Sequence, residues 1–143
     1  MALQYTDHMT GDEYNELRLS VGFHSITEGQ AQRGLEHTTF LTAVRDGGKI
    51  VAMGRMLFDF GYTAYLGDVI VRPEYQGQGI GKRIVENLID RTMDSAHEGE
   101  WIMFILGAAT NKEPFYEKLG FQKRPNETSG GGMSMYRTKQ KRR

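Results

Sequence analysis

The stretch that decides the fold is Asp68-Val69-Ile70-Val71-Arg72-Pro73-Glu74-Tyr75-Gln76-Gly77-Gln78-Gly79-Ile80-Gly81-Lys82. A β-branched apolar run ends at a proline, and three alternate glycines follow before an amphipathic helical pattern begins. Glycines leave backbone N–H groups accessible, and a helix N-terminus attracts negative charge. The stretch therefore predicts a strand, a loop that binds a phosphate or pyrophosphate, and a helix.

The composition limits the class of protein. A length of 143 residues suits one domain, and the balance of 18 Lys+Arg against 18 Asp+Glu gives no indication of a nucleic-acid or membrane partner. The absence of cysteine excludes disulfides, thiolate metal ligands and a cysteine nucleophile, and we predict no metal site. No signal-peptide pattern or membrane-length apolar run is seen, so we expect a cytoplasmic protein.

The order of the patterns predicts a single α/β (α+β) domain over residues 1–138, with a mixed, mostly antiparallel central sheet flanked by helices. The apolar run over residues 101–106 is expected to be a central strand covered on both faces. A basic tail over residues 139–143 is expected to be disordered. The predicted elements are a strand near residues 3–5, helices over 11–19 and 27–36, strands over 39–44, 50–58 and 63–71, a helix over 79–95, a strand over 101–106, a short helix after Pro114 and a last strand over 133–138.

Two common phosphate-binding motifs do not fit the glycine loop. A Walker A loop requires Ser or Thr after Gly-Lys, but Lys82 is followed by Arg83 and no glycine lies at the required distance before Gly81. In a dinucleotide-binding fingerprint the position of Lys82 would be a glycine, and the loop would follow the first strand of a parallel unit, whereas a hairpin precedes it here. ATP and NAD are therefore disfavoured as ligands.

The run over residues 71–81 resembles the acyl-CoA-binding signature of the GCN5-related N-acetyltransferases (GNAT), written Gln/Arg-x-x-Gly-x-Gly/Ala, with Gln76, Gly79 and Gly81 at the fixed positions. A second family feature follows one strand and one helix later, as Phe115-Tyr116-Glu117-Lys118-Leu119-Gly120-Phe121. The resemblance covers residues 39–121 well, and the first 38 residues only in their helix-pair layout. It implies a GNAT-like fold, with acetyl-CoA as the acyl donor.

The resemblance also implies how acetyl-CoA is held. Its pyrophosphate would lie on the backbone N–H groups of the glycine loop (residues 76–81), and the preceding strand would splay from its neighbour to expose main-chain groups to the pantetheine arm. Asn111 either contacts the cofactor or caps the next helix, and Lys82 and Arg83 either neutralise phosphate or are solvated. The implied cofactor-binding residues are Val69, Val71, Gln76, Gly77, Gln78, Gly79, Ile80, Gly81, Lys82, Asn111 and Tyr116.

Attack of an amine on a thioester requires a base, a donor to the oxyanion and an acid for the departing thiolate. By the resemblance, the backbone N–H of Ile70 is the oxyanion donor. Tyr116 is the acid, with a packing aromatic as its alternative reading. Asp68 is the nearest candidate base, and Asp59, His24 or an ordered water are the alternatives.

The family places the acceptor between the helix-pair loop (residues 21–26) and the hairpin near residues 58–62. The substrate-binding candidates are Phe23, His24, Arg33, Phe58 and Tyr62, with Arg18, although aromatics there are equally compatible with core packing. We expect acetyl transfer to a primary amine of a small molecule by direct attack in a ternary complex. A peptide or protein N-acetyltransferase and a non-catalytic acyl-CoA sensor are the alternatives, and exposed strand edges are compatible with a homodimer.

Overall fold

The computed structural model describes residues 2–141, and these form two compact units, the first ending at Leu106 and the second beginning at Gly107. The first unit contains a five-stranded sheet with the order β1-β2-β3-β4-β5, antiparallel except for the last pair. The predicted mixed, mostly antiparallel α/β class is confirmed. Its elements are β1 (Leu3–Thr6), α1 (Gly11–Ser20), α2 (Glu28–Glu36), β2 (Phe40–Asp46), β3 (Lys49–Phe58), β4 (Thr63–Val71), a 3₁₀ turn (Pro73–Tyr75), α3 (Ile80–Asp94) and β5 (Met103–Ile105).

Side-chain caps fix the starts of the first two helices. Thr10 accepts a hydrogen bond from the backbone N–H of Glu13 (3.1 Å), and the Glu13 carboxylate accepts one from the N–H of Thr10 (3.0 Å), which forms a capping box before α1. Thr27 caps α2 by accepting from the N–H of Gln30 (3.2 Å). Both predicted helix starts are confirmed.

The hairpin between β2 and β3 also agrees with its prediction. Gly47 and Gly48 have φ values of 56° and 91°, a conformation that residues with a Cβ rarely adopt. Two successive positive φ values match the right-handed twist of the flanking strands, and they set the pairing of Asp46 with Lys49.

Helices cover both faces of the sheet. On one face, Leu17 of α1 packs with Met53 of β3 and Ile70 of β4 in one buried cluster. On the other face, α3 approaches β3 so closely that a Cβ at Gly54 would lie 2.5 Å from Cγ2 of Ile84. The sheet is therefore a middle layer whose central strands are buried on both faces.

The prediction for residues 101–106 was wrong in its position. β5 contains only three residues, which pair in parallel with residues 63–65 of β4 at one end of the strand order. Among the described residues no strand pairs beyond β5, and Trp101, which precedes β5, is 69% exposed. The apolar run therefore builds an edge strand and not a central one.

The second unit contains one helix, α4 (Glu113–Glu117), and no strand among its described residues. The last strand predicted over residues 133–138 does not form, and Met133 and Tyr136 are 98% and 94% exposed. A strand needs a neighbour for its backbone hydrogen bonds, and an alternating sequence pattern does not supply one. Arg142 and Arg143, part of the predicted basic tail, lie outside the described residues, and the single-domain assignment stays a prediction.

Within residues 2–141, every helix is too short or too polar to cross a bilayer.

Candidate active site

The glycine loop connects β4 and its 3₁₀ turn to α3. Gly77 and Gly79 have φ values of 81° and 80°, in the left-handed region that favours glycine. A Cβ at either position would meet no atom within 4 Å. Glycine is therefore needed here for backbone conformation, and the loop opens onto free space, where a ligand can approach the main chain.

The N-terminus of α3 is suited to an anion. Gly79 is its N-cap and supplies no side-chain hydrogen bond, and no acidic residue lies in the first turn of this 15-residue helix. The first N–H groups therefore keep both their partial positive charge and their capacity to donate. The site thus fits the pyrophosphate of acetyl-CoA, because it offers backbone donors without competing carboxylates.

The side chains around the loop have distinct roles. Nε2 of Gln76 donates to the carbonyl of Val71 (2.9 Å), which ties the loop to the end of β4. The guanidinium of Arg83 lies 3.9 Å from the centroid of the Tyr5 ring, so this charge packs on β1. Lys82 is exposed, and unlike Arg83 it contacts no aromatic ring in the described structure.

The edge of β4 that faces away from β3 is largely open. Among residues 2–141, β5 pairs only with residues 63–65, so residues 66–71 of β4 have a strand neighbour on the β3 side alone. We call residues 66–71 the open edge. This is the separation of strands that the resemblance implied, and it leaves main-chain groups accessible beside the glycine loop.

The register decides which groups point to the open edge. Arg72 donates its N–H to the carbonyl of Val51 (2.9 Å), and Ile70 pairs with Met53 two positions further along the same ladder. Hydrogen-bonded pairs alternate with non-hydrogen-bonded pairs in an antiparallel ladder, so the N–H of Ile70 points to β3. The expectation that Ile70 donates to the oxyanion therefore disagrees with the register, and its neighbours Val69 and Val71 point to the open edge.

A β-bulge interrupts β4 within the open edge, at Asp68 and Val69. Met53 pairs with Ile70 and Arg55 with Gly67, so two residues of β4 lie opposite the single Gly54. One of the two is Asp68, whose φ is 50°. The bulge turns the Asp68 side chain towards α1.

Asp68 is the centre of a polar cluster that we call the Asp68 cluster, made of Tyr14, Arg18, Arg55 and Asp68. Oδ1 of Asp68 accepts from Nη1 of Arg18 (3.0 Å). Oδ2 accepts from Nε of Arg55 (2.8 Å) and from the hydroxyl of Tyr14. Both guanidinium groups also lie within 6 Å of the Tyr14 ring, at 5.9 Å for Arg18 and 5.6 Å for Arg55.

These charged groups are mostly buried, so their interactions are stronger than those of exposed pairs. The side chains of Arg18, Arg55 and Asp68 are only 20%, 19% and 14% exposed. Burial and the neighbouring Asp68 carboxylate raise the pKa of Tyr14 from 10.0 to about 12, so the phenol stays neutral and its O–H donates a hydrogen bond to Asp68. Because one carboxylate balances two guanidinium groups, the cluster carries a net positive charge beside the open edge.

Arg18 also reaches the acceptor loop, residues 21–26. Its Nε donates to the carbonyl of His24 (2.8 Å), and its guanidinium lies 5.6 Å from the centroid of the Phe23 ring. The amide of Asn15 holds Ile26 at the far end of the loop through two hydrogen bonds of 2.8 and 2.9 Å. The structure thus brings Arg18, Phe23 and His24 together, with the His24 side chain exposed.

The other predicted substrate residues lie apart from this cluster. Phe58 is 7% exposed and packs against Phe60, so it is a core residue. Tyr62 is 53% exposed and stacks on Trp101 at a centroid distance of 5.1 Å. Arg33 is exposed on α2. Asp59, an alternative base, accepts from the N–H of Gly61 (2.8 Å) and shapes the turn.

Two predicted residues lie in the second unit. Asn111 does not cap α4, because Lys112 is the N-cap residue and makes no side-chain hydrogen bond. Its contact with the cofactor stays a prediction. The ring of Tyr116 packs edge-on against Phe115 and Phe121 at centroid distances of 4.9 and 5.9 Å.

Sequence reasoning missed Tyr14 and Arg55. The signal for Arg55 was available, since it lies between Gly54 and Met56 in a strand of otherwise apolar or small residues. A charge inside such a run needs a partner, and Asp68 on the next strand was the nearest candidate. Tyr14 gave no signal beyond its place on the buried face of α1.

Comparisons with known proteins agree with this geometry. A family model described as an acetyltransferase (GNAT) domain matches residues 10–140. Serotonin N-acetyltransferase 2, chloroplastic, from Oryza sativa subsp. japonica is 32% identical over 134 residues, which cover 88% of this chain and 62% of that protein. Histone acetyltransferase TAP1 from Glycine max is 33% identical over 107 residues, 75% of this chain and 40% of that protein.

A solved structure shows the same fold. The crystal structure of a probable acetyltransferase from meticillin-resistant Staphylococcus aureus superposes with a TM-score of 0.84 at 28% identity, covering 95% of this chain and all (100%) of that one. The chain spans less than two thirds of the rice and soybean relatives. From the family model, which extends over nearly the whole chain, it follows that the protein belongs to the GNAT acetyltransferase family.

Proposed function

We propose that the protein transfers the acetyl group of acetyl-CoA to a primary amine of a small molecule, by direct attack in a ternary complex. The glycine loop carries the proposal: its two left-handed glycines open onto an N-terminus of α3 without a side-chain cap. Backbone donors of this kind suit a pyrophosphate, which acetyl-CoA contains and most acyl acceptors lack. The family match over residues 10–140 supports acetyl-CoA as the donor.

In this proposal the open edge of β4 binds the rest of the donor. Acetyl-CoA supplies the thioester carbonyl, and the main chain of Val69 and Val71 holds the amide-rich pantetheine arm. The N–H of Val69 takes the role first expected of Ile70, because the register directs the N–H of Ile70 to β3. A fixed backbone donor of this kind stabilises an oxyanion without any reorganisation of solvent.

The proton-transfer groups are part of the same proposal. Tyr116 donates a proton or a hydrogen bond to the departing thiolate, as its place in the second family motif implies. An ordered water removes the amine proton, since the carboxylates of Asp68 and Asp59 already accept hydrogen bonds from the protein.

A small amine is the first candidate acceptor because the rice relative, named for serotonin, matches 88% of this chain. The half-buried Phe23 ring on the acceptor loop offers apolar surface to such a substrate. A protein amine is the second candidate, since the soybean relative is named a histone acetyltransferase. The two differ in the groove that they require, because a peptide needs an extended surface and a small amine needs only a pocket.

The first experiment measures donor binding. Acetyl-CoA at a hundred times its Kd should stabilise the folded state by about 2.7 kcal/mol. That corresponds to a rise in Tm of about 5–10 °C for a chain of this size. The absence of a thermal shift at millimolar acetyl-CoA would reject the donor assignment.

The second experiment follows CoA release with a panel of amines, including serotonin, aliphatic amines and a lysine-containing histone-tail peptide. Tyr116→Phe should lower turnover at least tenfold, about 1.4 kcal/mol in the barrier, while acetyl-CoA still binds. Tyr136→Phe is the control, since Tyr136 is 94% exposed in the same unit. Turnover only with the peptide would favour the second candidate, and donor binding without turnover on any amine would favour an acyl-CoA sensor.

Location and assembly complete the proposal. We keep the cytoplasm as the expected compartment. A fluorescent fusion would distinguish it from a plastid, which the name of the rice relative favours.

We keep a homodimer as the expected assembly, because β5 exposes Met103 (36%) at the end of the strand order. Sedimentation at micromolar concentration tests it.

A further inference from the structure

We infer that Asp68 is a positioning residue. Through the Asp68 cluster it holds the bulge of β4 and links the open edge to the acceptor loop. The relative position of the proposed donor and acceptor sites therefore stays fixed. The inference rests on the proposed function and adds to it the residues that join its two halves. It replaces the expectation that Asp68 is the general base.

The hydrogen bonds of Asp68 argue for an anchor. Its two oxygens accept from Arg18, Arg55 and the hydroxyl of Tyr14, so both are already committed within the protein. A general base must gain a proton during each turnover. The same carboxylate pairs with two mostly buried guanidinium groups, which is the arrangement of a structural anchor.

The backbone of Asp68 needs such an anchor. Its φ of 50° lies in the left-handed region, which costs most residues other than glycine about 1–2 kcal/mol and costs Asp less. A strained conformation persists where the surrounding structure determines it. Here α1 and β3 bond the same carboxylate from two directions, through Arg18 and Arg55, and the bulge that Asp68 forms with Val69 places Val69 on the open edge.

Arg18 extends this anchor to the acceptor loop. One guanidinium group bonds both the Asp68 carboxylate (3.0 Å) and the carbonyl of His24 (2.8 Å). A displacement of the loop therefore strains the contact with β4, and a relaxed bulge releases the loop. Arg55 secures the other side of the cluster by donating to Oγ1 of Thr38 (3.1 Å) beyond the end of α2.

The test compares three variants of the full chain. Asp68→Asn removes the charge and Arg18→Gln removes the link to the loop. Glu13→Gln is the matched control: it breaks the pair with Arg45, which also involves α1 and has similarly buried side chains (16% and 20% exposed), but touches neither β4 nor the acceptor loop. Each variant is assayed for kcat, for KM of amine and acetyl-CoA, for the pH profile, and for amide hydrogen exchange without ligand.

A positioning role predicts a specific set of changes. Asp68→Asn should lower kcat/KM for the amine at least tenfold and keep the rising limb of the pH profile at its wild-type midpoint. Arg18→Gln should raise the amine KM at least fivefold, with the acetyl-CoA KM within twofold of wild type. Both should speed amide exchange at the open edge and in the acceptor loop together. Glu13→Gln should leave kcat, both KM values and these exchange rates within twofold.

Loss of the rising limb in Asp68→Asn would identify a base and overturn the inference. Arg18→Gln behaving like Glu13→Gln would overturn it as well. If Asp68→Asn does not fold, Arg18→Gln and Tyr14→Phe carry the same exchange and KM measurements. Failure of the proposed function gives a different result, since wild-type protein would then show no acetyl-CoA thermal shift and no CoA release, while the exchange data would still test the link.

Discussion

Gly54→Ala should destabilise the protein by forcing α3 away from the sheet. The added Cβ would lie 2.5 Å from Cγ2 of Ile84 and 3.1 Å from Cδ1 of Leu88, whereas carbon atoms in contact prefer about 3.5–4.0 Å. Ile84 is β-branched and its χ1 is nearly fixed in a helix, so Cγ2 cannot rotate away. The helix must therefore move by about 1 Å, and overpacking of this kind costs about 1–3 kcal/mol.

Urea unfolding measures that cost, and a loss of about 1–3 kcal/mol should lower Tm by about 2–4 °C for each kcal/mol. The acetyl-CoA Kd should rise as well, because the displaced helix carries the glycine loop at its N-terminus. Gly34→Ala is the control: its Cβ would lie 3.9 Å from Arg55, an ordinary contact, so this change in α2 should be neutral or stabilising.

A second substitution tests the cause. Ile84→Ala removes the obstructing Cγ2 and alone costs about 2–5 kcal/mol through the cavity that it leaves. Combined with Gly54→Ala, it should cost less than the sum of the two single changes by about 1–2 kcal/mol, since the new methyl group fills part of that cavity. Additive costs, or a Gly54→Ala protein as stable as wild type, would refute the close approach of α3 to β3.

Two further predictions concern the loop and the cluster. Gly79 and Gly99 have φ values of 80° and 86°, and a Cβ at either position would meet no atom within 4 Å. Gly79→Ala and Gly99→Ala should therefore each lower the free energy of unfolding by about 1–2 kcal/mol. Only Gly79→Ala should also weaken acetyl-CoA binding in a titration. Equal effects on binding would show that the glycine loop does not bind acetyl-CoA. The pKa of Tyr14 is raised to about 12, so its contribution of up to about 3 kcal/mol is complete below pH 10 and is lost as the pH rises from 10 to 12. Unfolding free energies from pH 8 to 12 should therefore fall less steeply in Tyr14→Phe than in wild type, and parallel curves would contradict the raised pKa.

The elements that local chemistry determines were predictable from the sequence. The double glycine at residues 47–48 specifies a hairpin because few other residues accept two successive positive φ values. The run over residues 63–71 was predicted as a strand with the bounds that β4 has. Apolar spacing after the glycine loop predicted α3 to within a residue or two of Ile80–Asp94.

The elements that depend on distant partners were not predictable. An apolar run does not tell whether a strand has one neighbour or two, so β5 was placed in the centre of the sheet although it lies at the edge. The alternating residues 133–138 likewise predicted a strand whose neighbour the described chain does not supply. The bulge at Asp68 was hidden for the same reason, since it exists only in the pairing of β4 with β3.

The candidate site contains one part that local sequence determines and one part that depends on distant partners. The proposed donor side depends on backbone conformation in one continuous segment, so a short motif encodes it, and Gly77 and Gly79 have the left-handed φ values that such a loop uses. The proposed acceptor side depends on side chains from α1, β3 and β4 that are up to 54 residues apart, as in the contact between Tyr14 and Asp68. No local pattern encodes such a cluster, because each member looks like an ordinary core or helix residue by itself. Changes in amine specificity within this fold should therefore accumulate at Arg18 and along the acceptor loop, while the glycine loop tolerates few substitutions.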